Sequence, residues 1–177
     1  MKKFRLLLLD ANVVIEISRS SLWKQVLARC EIHLSQTVIG EAHFYEDDEG
    51  ERQPIDLQPH IASGDINVFD LKPSDLAALH ARFDSSYCEK LDPGETESLA
   101  YMLQKGDECL ICSADKIVYR VLGSLRRAEQ GVSLEEVLQQ IGLGRKLSRE
   151  FSREYREQWT QKGFEEGLGG TGRAKGK

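Results

Sequence analysis

The chain has 177 residues, of which 40% are hydrophobic and 30% charged, and it carries a net charge of −5. This length suits one domain with a terminal extension and is enough to bury a sizeable core. The negative balance excludes a protein that coats nucleic acid by bulk charge, but leaves room for a local basic patch or a cation-filled acidic pocket. The first apolar run is too short for a signal peptide, and no stretch approaches a membrane span. The four cysteines (Cys30, Cys88, Cys109, Cys112) are scattered and read as intracellular thiols, which makes a cytoplasmic protein the expectation. Cys109 and Cys112 form a lone Cys-x-x-Cys within an apolar stretch, and no second pair completes a zinc site.

Phe4 to Leu9 reads as a strand buried on both faces, because four leucines follow one another without alternation. Asp10 then falls at the strand's carboxyl end, where open α/β sheets place ligands. A carboxylate there also serves as a helix cap, and this stretch alone leaves both readings open. Asn12 opens an apolar-periodic segment, so residues 12 to 29 read as one helix or two, with a break at Ser20-Ser21.

Glu31 to Ser35 alternates and predicts a second strand. Ser35 and Thr37 can each cap a following helix that carries Glu41 early. Residues 46 to 51 form an acidic loop, read as solvated, and Pro54, Pro59 and Gly64 predict irregular structure after it. Ile66 to Phe69 reads as an edge strand, and Pro73 starts a helix bearing Leu76, Leu79 and Phe83.

A helix is predicted from near Gly94, with Glu95 and Glu97 in its first turns. Glutamates there suit the helix dipole. Their two-residue offset puts them on nearly opposite sides, so one direct ligand is expected. Cys109 to Cys112 reads as a further strand, followed by Ser113, Asp115 and a helix from Lys116. Strands alternating with helices predict an α/β domain with a mainly parallel sheet.

Beyond Gly131, Ser133-x-x-Glu136 is a capping box, and residues 148 to 163 read as a charged helix anchored by Phe151, Tyr155 and Trp159. From Arg145 onward nine Lys or Arg outnumber five Glu, so the core is acidic and the tail basic. The expected organisation is a core over 1–130, a helical extension over 131–166 and a disordered basic tail over 167–177. That tail reads equally as a solubilising end or a nucleic-acid contact. The four histidines (His33, His43, His60, His80) are dispersed and read as surface or packing residues, although His43 lies close to Glu41.

Asp10, Glu41, Glu95 and Asp115 all fall at strand ends or just inside the following helices, and caps alone explain four such acids poorly. Carboxylates gathered without basic partners repel, so protons or a cation must compensate. Mg²⁺ or Mn²⁺ suits an all-oxygen shell, and phosphodiester hydrolysis is the matching reaction class. A dinucleotide site is excluded because no Gly-x-Gly-x-x-Gly follows the first strand. An Asp-x-Asp phosphatase is excluded because position 12 is Asn, and a receiver domain because Leu9 precedes Asp10 where that fold needs a second acid.

Asp10 with Asn12, Thr37 with Glu41, Gly94-Glu95-Thr96-Glu97 with Ala100, and Ser113 with Asp115 stand in an order that resembles the PIN-domain ribonucleases, especially prokaryotic toxins of the VapC type. The resemblance covers roughly residues 4 to 122. It implies a three-layer α/β/α sandwich and a metal-dependent endoribonuclease, with water attacking in line to leave 5′-phosphate and 3′-hydroxyl ends. Asp10, Glu41, Glu95 and Asp115 would hold Mg²⁺ or Mn²⁺, with Glu97 the alternative to Glu95, and Asn12 and Ser113 would orient the ligands. It also implies an RNA substrate, a cognate antitoxin protein and a homodimer. The chain departs from the pattern in having Glu where many members have a third Asp, and in a longer, more acidic segment over residues 44 to 65. A PIN-like scaffold without catalysis is the competing reading.

Overall fold

The computed structural model describes residues 4–172 and Ala174. Strand β1 (Phe4–Leu9) ends directly at Asp10, which caps helix α1 (Ala11–Arg19). Ser21 turns the chain with φ 55°, and α2 (Trp23–Arg29) leads into β2 (Cys30–Ser35). Ser35 caps α3 (Gln36–Glu41), its hydroxyl accepting from the Val38 N–H. A hairpin of β3 (Phe44–Glu46) and β4 (Arg52–Pro54) comes next, then α4 (Gln58–Ala62), β5 (Ile66–Phe69), α5 (Pro73–His80) and α6 (Ser85–Cys88). The core closes with α7 (Pro93–Lys105), β6 (Cys109–Cys112), α8 (Lys116–Ser124), β7 (Gly131–Val132) and α9 (Leu134–Gln140). Helix α10 (Arg153–Leu168) ends the described chain apart from a short turn.

Five strands form one parallel sheet in the order β5-β2-β1-β6-β7. β1 is central, with Leu7 opposite Ile32 of β2 on one side and Leu110 of β6 on the other. Side chains alternate across a strand, so the leucines serve both faces. Leu7 and Leu9 pack with Val13, Val14, Ile17 and Leu138, while Leu8 packs with Leu99, Met102, Val118 and Val121. Helices on both faces make three layers, and they explain why β1 shows an unbroken apolar run. Each such fully buried leucine contributes about 1.5–3 kcal/mol.

Several expectations differ from the structure. Helix α1 starts at Ala11 rather than at Asn12, and of the two readings left open for Asp10 the cap is present, its carboxylate accepting from the Val13 N–H at 2.7 Å. The acidic loop is the tip of the β3–β4 hairpin, held where Asp47 accepts from the N–H groups of Glu49 and Glu51. Gly131 and Val132, expected to open the extension, are the fifth strand of the sheet and pair beside Ile111 and Cys112. Two residues are too few to show a period. Phe83 packs in the core but lies beyond the end of α5.

The C-terminal segment docks rather than trailing off. A Cβ on Gly163 would lie 2.0 Å from the Arg120 carbonyl oxygen, and one on Gly123 2.0 Å from the Thr160 carbonyl oxygen. The α8 and α10 backbones therefore approach in a way only glycine permits. Arg120 clamps Glu166 with bonds of 3.0 and 2.9 Å, and the buried Tyr87 hydroxyl donates to the same carboxylate. Helix α10 continues through Gly167 and Leu168, and the Gly172 carbonyl accepts from the Asp84 N–H. The expected disordered tail thus starts too early; Arg173 and residues 175–177 lie outside the described residues. Among the described residues no helix is long and apolar enough to cross a membrane.

Candidate functional site

β1 and β6 are neighbours, yet the chain leaves β1 toward β2 and β5 and leaves β6 toward β7. The strand order reverses between them, which in open α/β sheets opens a crevice at the carboxyl edge. Asp10 follows β1 and Ser113-Ala114-Asp115 follows β6, so both turns face that crevice. The Asp10 N–H donates to the Cys112 carbonyl at 3.2 Å, which fixes one turn against the other.

Asp10 is 6% exposed. Its Oδ1 caps α1, and its Oδ2 accepts from the Ser113 hydroxyl and, at 2.8 Å, from the Ala114 N–H. The same Ser113 oxygen accepts from the Asp115 N–H at 2.9 Å. Asp115 caps α8 by accepting from the Ile117 N–H. Beneath them the buried Tyr119 hydroxyl donates to the Ser113 carbonyl and lies 3.1 Å from the Val132 carbonyl, joining the ends of β6 and β7.

The third motif arrives on α7. Asp92 caps this helix by accepting from the Glu95 N–H at 2.7 Å, and Glu95 accepts in return from the Asp92 N–H at 3.1 Å. This capping box turns Glu95 back toward the sheet, where it is 6% exposed. Gly94 has a steric reason: a Cβ there would lie 3.0 Å from Val38 Cγ2 and 3.1 Å from Glu41 Oε2. Glycine therefore lets the Glu41 carboxylate approach the start of α7. Glu97, on the α3 side, accepts from the Thr37 hydroxyl at 2.8 Å.

The carboxylates act on one another. Burial holds Asp10 above the usual carboxylate range; the Ser113, Val13 and Ala114 hydrogen bonds pull it down, and Asp115 pushes it up. Glu95 is pushed up to about 9, by burial first, then by Asp92 and Asp115, with a smaller push from Asp10 against the Asp92 N–H. Glu41 is raised by partial burial, then by Asp92, Glu97 and Asp10, although its side chain remains exposed. Among the described residues none of these acids forms an ion pair with Lys, Arg or His. Burial is the largest cause of each shift, and repulsion between carboxylates that lack a cationic partner adds to it.

Asp10, Glu41, Glu95 and Asp115 are thus brought into one electrostatic cluster. Asp92 belongs to it although the sequence reading gave it no role; its signal was its place one turn before Glu95. Glu97 reaches the cluster only through its effect on Glu41, and its carboxylate accepts from Thr37 while that of Glu95 accepts from the Asp92 N–H, so the two glutamates take different partners. Ser113 does orient Asp10. Asn12 is exposed and makes no side-chain hydrogen bond among the described residues, so the orienting role expected for it is not present. His33 is half-buried, bridging Glu31 and Tyr101 at 3.1 Å each, which is a packing role.

The donor set is all oxygen and without a cationic partner among the described residues, and three of its members, Asp10, Glu41 and Glu95, are shifted toward holding protons, which fits a hard divalent cation in chemistry. The side chains as they stand cap helices, and among the described residues no three His, Cys, Asp or Glu groups converge as a metal shell. No protein-family model matches the chain, and no curated protein matches it.

Proposed function

We propose that the chain is a metal-dependent endoribonuclease of PIN-like architecture. The observation that carries this reading is the carboxylate cluster at the switch point of the sheet, in which Asp10, Glu41 and Glu95 all hold their protons too tightly. A parallel α/β sheet supports the architecture, and the motif order supports the family. Asp10, Glu41, Glu95 and Asp115 would hold Mg²⁺ or Mn²⁺, which when bound supplies the positive charge that ionises these acids together and stabilises a phosphate under attack. Glu97 stands by as the alternative to Glu95.

The chain's own residues do the positioning. Ser113 and the Ala114 N–H fix Oδ2 of Asp10, and Tyr119 fixes the turn that carries Ser113. The Asp92–Glu95 capping box aims Glu95, and the bare Gly94 admits Glu41. Glu95, pushed up to about 9 by burial and its acidic neighbours, would give up its proton on holding a cation. By the same resemblance, the setting is cytoplasmic, the substrate RNA, the inhibitor a cognate antitoxin and the assembly a homodimer.

The test is cleavage of a structured RNA pool with Mn²⁺ or Mg²⁺ against EDTA, beside Asp10→Asn. Metal-dependent cutting that vanishes in the variant supports the nuclease and its site. Cutting that persists in the variant overturns the site. One observation favours a second reading, a catalytically silent PIN-like scaffold: three protein donors already occupy Asp10. Metal binding by calorimetry without cleavage of any RNA would select it.

A further inference from the structure

Beside the acid cluster, α10 brings two aromatic rings and a lysine to the start of α8, which carries a second lysine. Lys116 immediately follows Asp115 and is exposed. Its Nζ lies 5.7 Å from the centre of the Trp159 ring, and the exposed Lys162 places its Nζ 5.3 Å from the same ring. Tyr155 meets Trp159 edge-on, with centroids 6.1 Å apart and planes at 63°. Both rings are half-buried, and the Trp159 indole N–H makes no hydrogen bond among the described residues. Tyr155 also borders the cluster: burial raises its hydroxyl first, then the Asp115 and Glu150 carboxylates, against Arg149 and the Lys116 N–H. Neither lysine forms an ion pair among the described residues.

An acid cluster repels a polyphosphate strand, and a chain of net charge −5 offers no bulk attraction. A nuclease of this charge needs cations beside the cluster, and a π-face beside cations is the common means of holding unpaired bases. We propose that Lys116, Tyr155, Trp159 and Lys162 form a binding platform for single-stranded RNA. One base stacks on Trp159 and the two lysines exchange the ring for flanking phosphates. The strand then leaves the platform past Asp115 into the cluster. The choice of substrate rests on the nuclease reading; the binding test does not depend on cleavage.

The experiment measures anisotropy of a fluorescein-labelled single-stranded RNA ten-mer against the full chain. Asp10→Asn is present throughout, so the RNA survives in magnesium. Added to it are Trp159→Ala, Trp159→Phe, or Lys116→Gln with Lys162→Gln, each checked by thermal melting. Trp159→Ala is expected to weaken binding at least about fivefold, the low end for one lost base–aromatic stack. Trp159→Phe keeps a smaller π-face, losing one of the two fused rings together with the unbonded N–H, and is expected to stay within about twofold. The double lysine variant is expected to reduce the slope of log affinity against log salt by about 1.4, which a purely structural role would not do. Equal binding by Trp159→Ala and the lysine variant overturns the platform and leaves the nuclease reading standing. A Trp159→Phe loss as large as that of Trp159→Ala, with unchanged melting, overturns stacking. No binding by the Asp10→Asn chain at about 100 μM also overturns the platform. Cleavage of the RNA pool by the chain with Asp10 intact decides the nuclease reading separately.

Discussion

The Ser113 hydroxyl donates to Oδ2 of Asp10 across 103 residues of sequence, with both groups buried. Two adjacent parallel strands, β1 and β6, end level with one another, so their βα turns share one carboxylate. Asp10 has a donor for each of its bonds: Val13 N–H, Ser113 Oγ–H and Ala114 N–H. Asp10→Asn puts an amide NH₂ against one of these donors whichever way it is turned. We predict a stability loss of about 1–3 kcal/mol with the fold retained, together with loss of metal-dependent cleavage. Ser113→Ala is expected to cost about 1–2 kcal/mol, because it removes the hydroxyl shared by Asp10 and Asp115. Urea unfolding and the RNA assay check both; a folded Asp10→Asn chain that cuts at the parent rate removes Asp10 from the site.

Stability of the metal-free chain is predicted to fall as pH rises from about 5 to about 9. Glu95 titrates near 9 in the folded chain against 4.5 ordinarily, so within that window the folded state holds a proton that the unfolded state has released. The folded state binds more protons, and the slope of unfolding free energy with pH is negative. Asp10 and Glu41, also raised, add in the same direction. The carboxylates held below their ordinary values, Glu136 and Glu166 beside arginines, contribute stability that is lost only at lower pH. Added Mg²⁺ should stabilise more at the alkaline end, where fewer protons must leave. Melting curves across pH with EDTA and with Mg²⁺ check this, and a flat or rising EDTA profile would contradict the uncompensated cluster.

Gly94→Ala tests whether Glu41 takes part. The new Cβ meets only side-chain atoms, Val38 Cγ2 at 3.0 Å and Glu41 Oε2 at 3.1 Å, so a shift of a few tenths of an ångström relieves it. The expected stability loss is under about 1.5 kcal/mol, while displacement of the Glu41 carboxylate should lower kcat by at least about tenfold. Unchanged kcat with unchanged melting would leave Glu41 as a bystander.

The sheet was legible because its signals are local. Four leucines need two buried faces, and an acid after an apolar strand marks a carboxyl edge. The strand order, and with it the switch point between Asp10 and Ser113, comes from pairing over long separations that no local pattern records. Asp92 was missed because it precedes the Pro93-Gly94 helix start, outside the helix the pattern marks, yet its carboxylate caps that helix and charges the cluster at once. Asn12 lies in the first turn of α1, two residues past the cap, and its exposed side chain makes no hydrogen bond among the described residues. β7 is too short for periodicity. The docking of α10 was legible only in its anchors: Tyr155 and Trp159 pack against the core, but the helix leaves Phe164 and Leu168 exposed and lacks a broad apolar face. The rest of the contact is bare backbone at glycines and the Arg120–Glu166 and Arg156–Glu136 pairs, which no apolar pattern records.

That docking gives the last prediction. In Gly163→Ala the new Cβ would lie 2.0 Å from the Arg120 carbonyl oxygen and 2.5 Å from its Cα, atoms that cannot swing aside. The two helices must separate. The expected loss is at least about 2 kcal/mol, or a Tm drop of roughly 4–8 °C for a chain of this size. Gly123→Ala should behave alike, because its Cβ meets the Thr160 carbonyl and the Phe164 nitrogen at 2.0 and 2.7 Å. Gly40→Ala is the control: it lies in α3 with nothing within 4 Å of the added carbon, and should gain about 0.4–1 kcal/mol. Separation also loosens Tyr155 and Trp159 from the start of α8, so trypsin should cut sooner after Arg153, Arg156 and Lys162. If Gly163→Ala melts with the parent and resists trypsin equally, the α8–α10 contact contributes little. The aromatic pair would then need another means of being held beside Asp115.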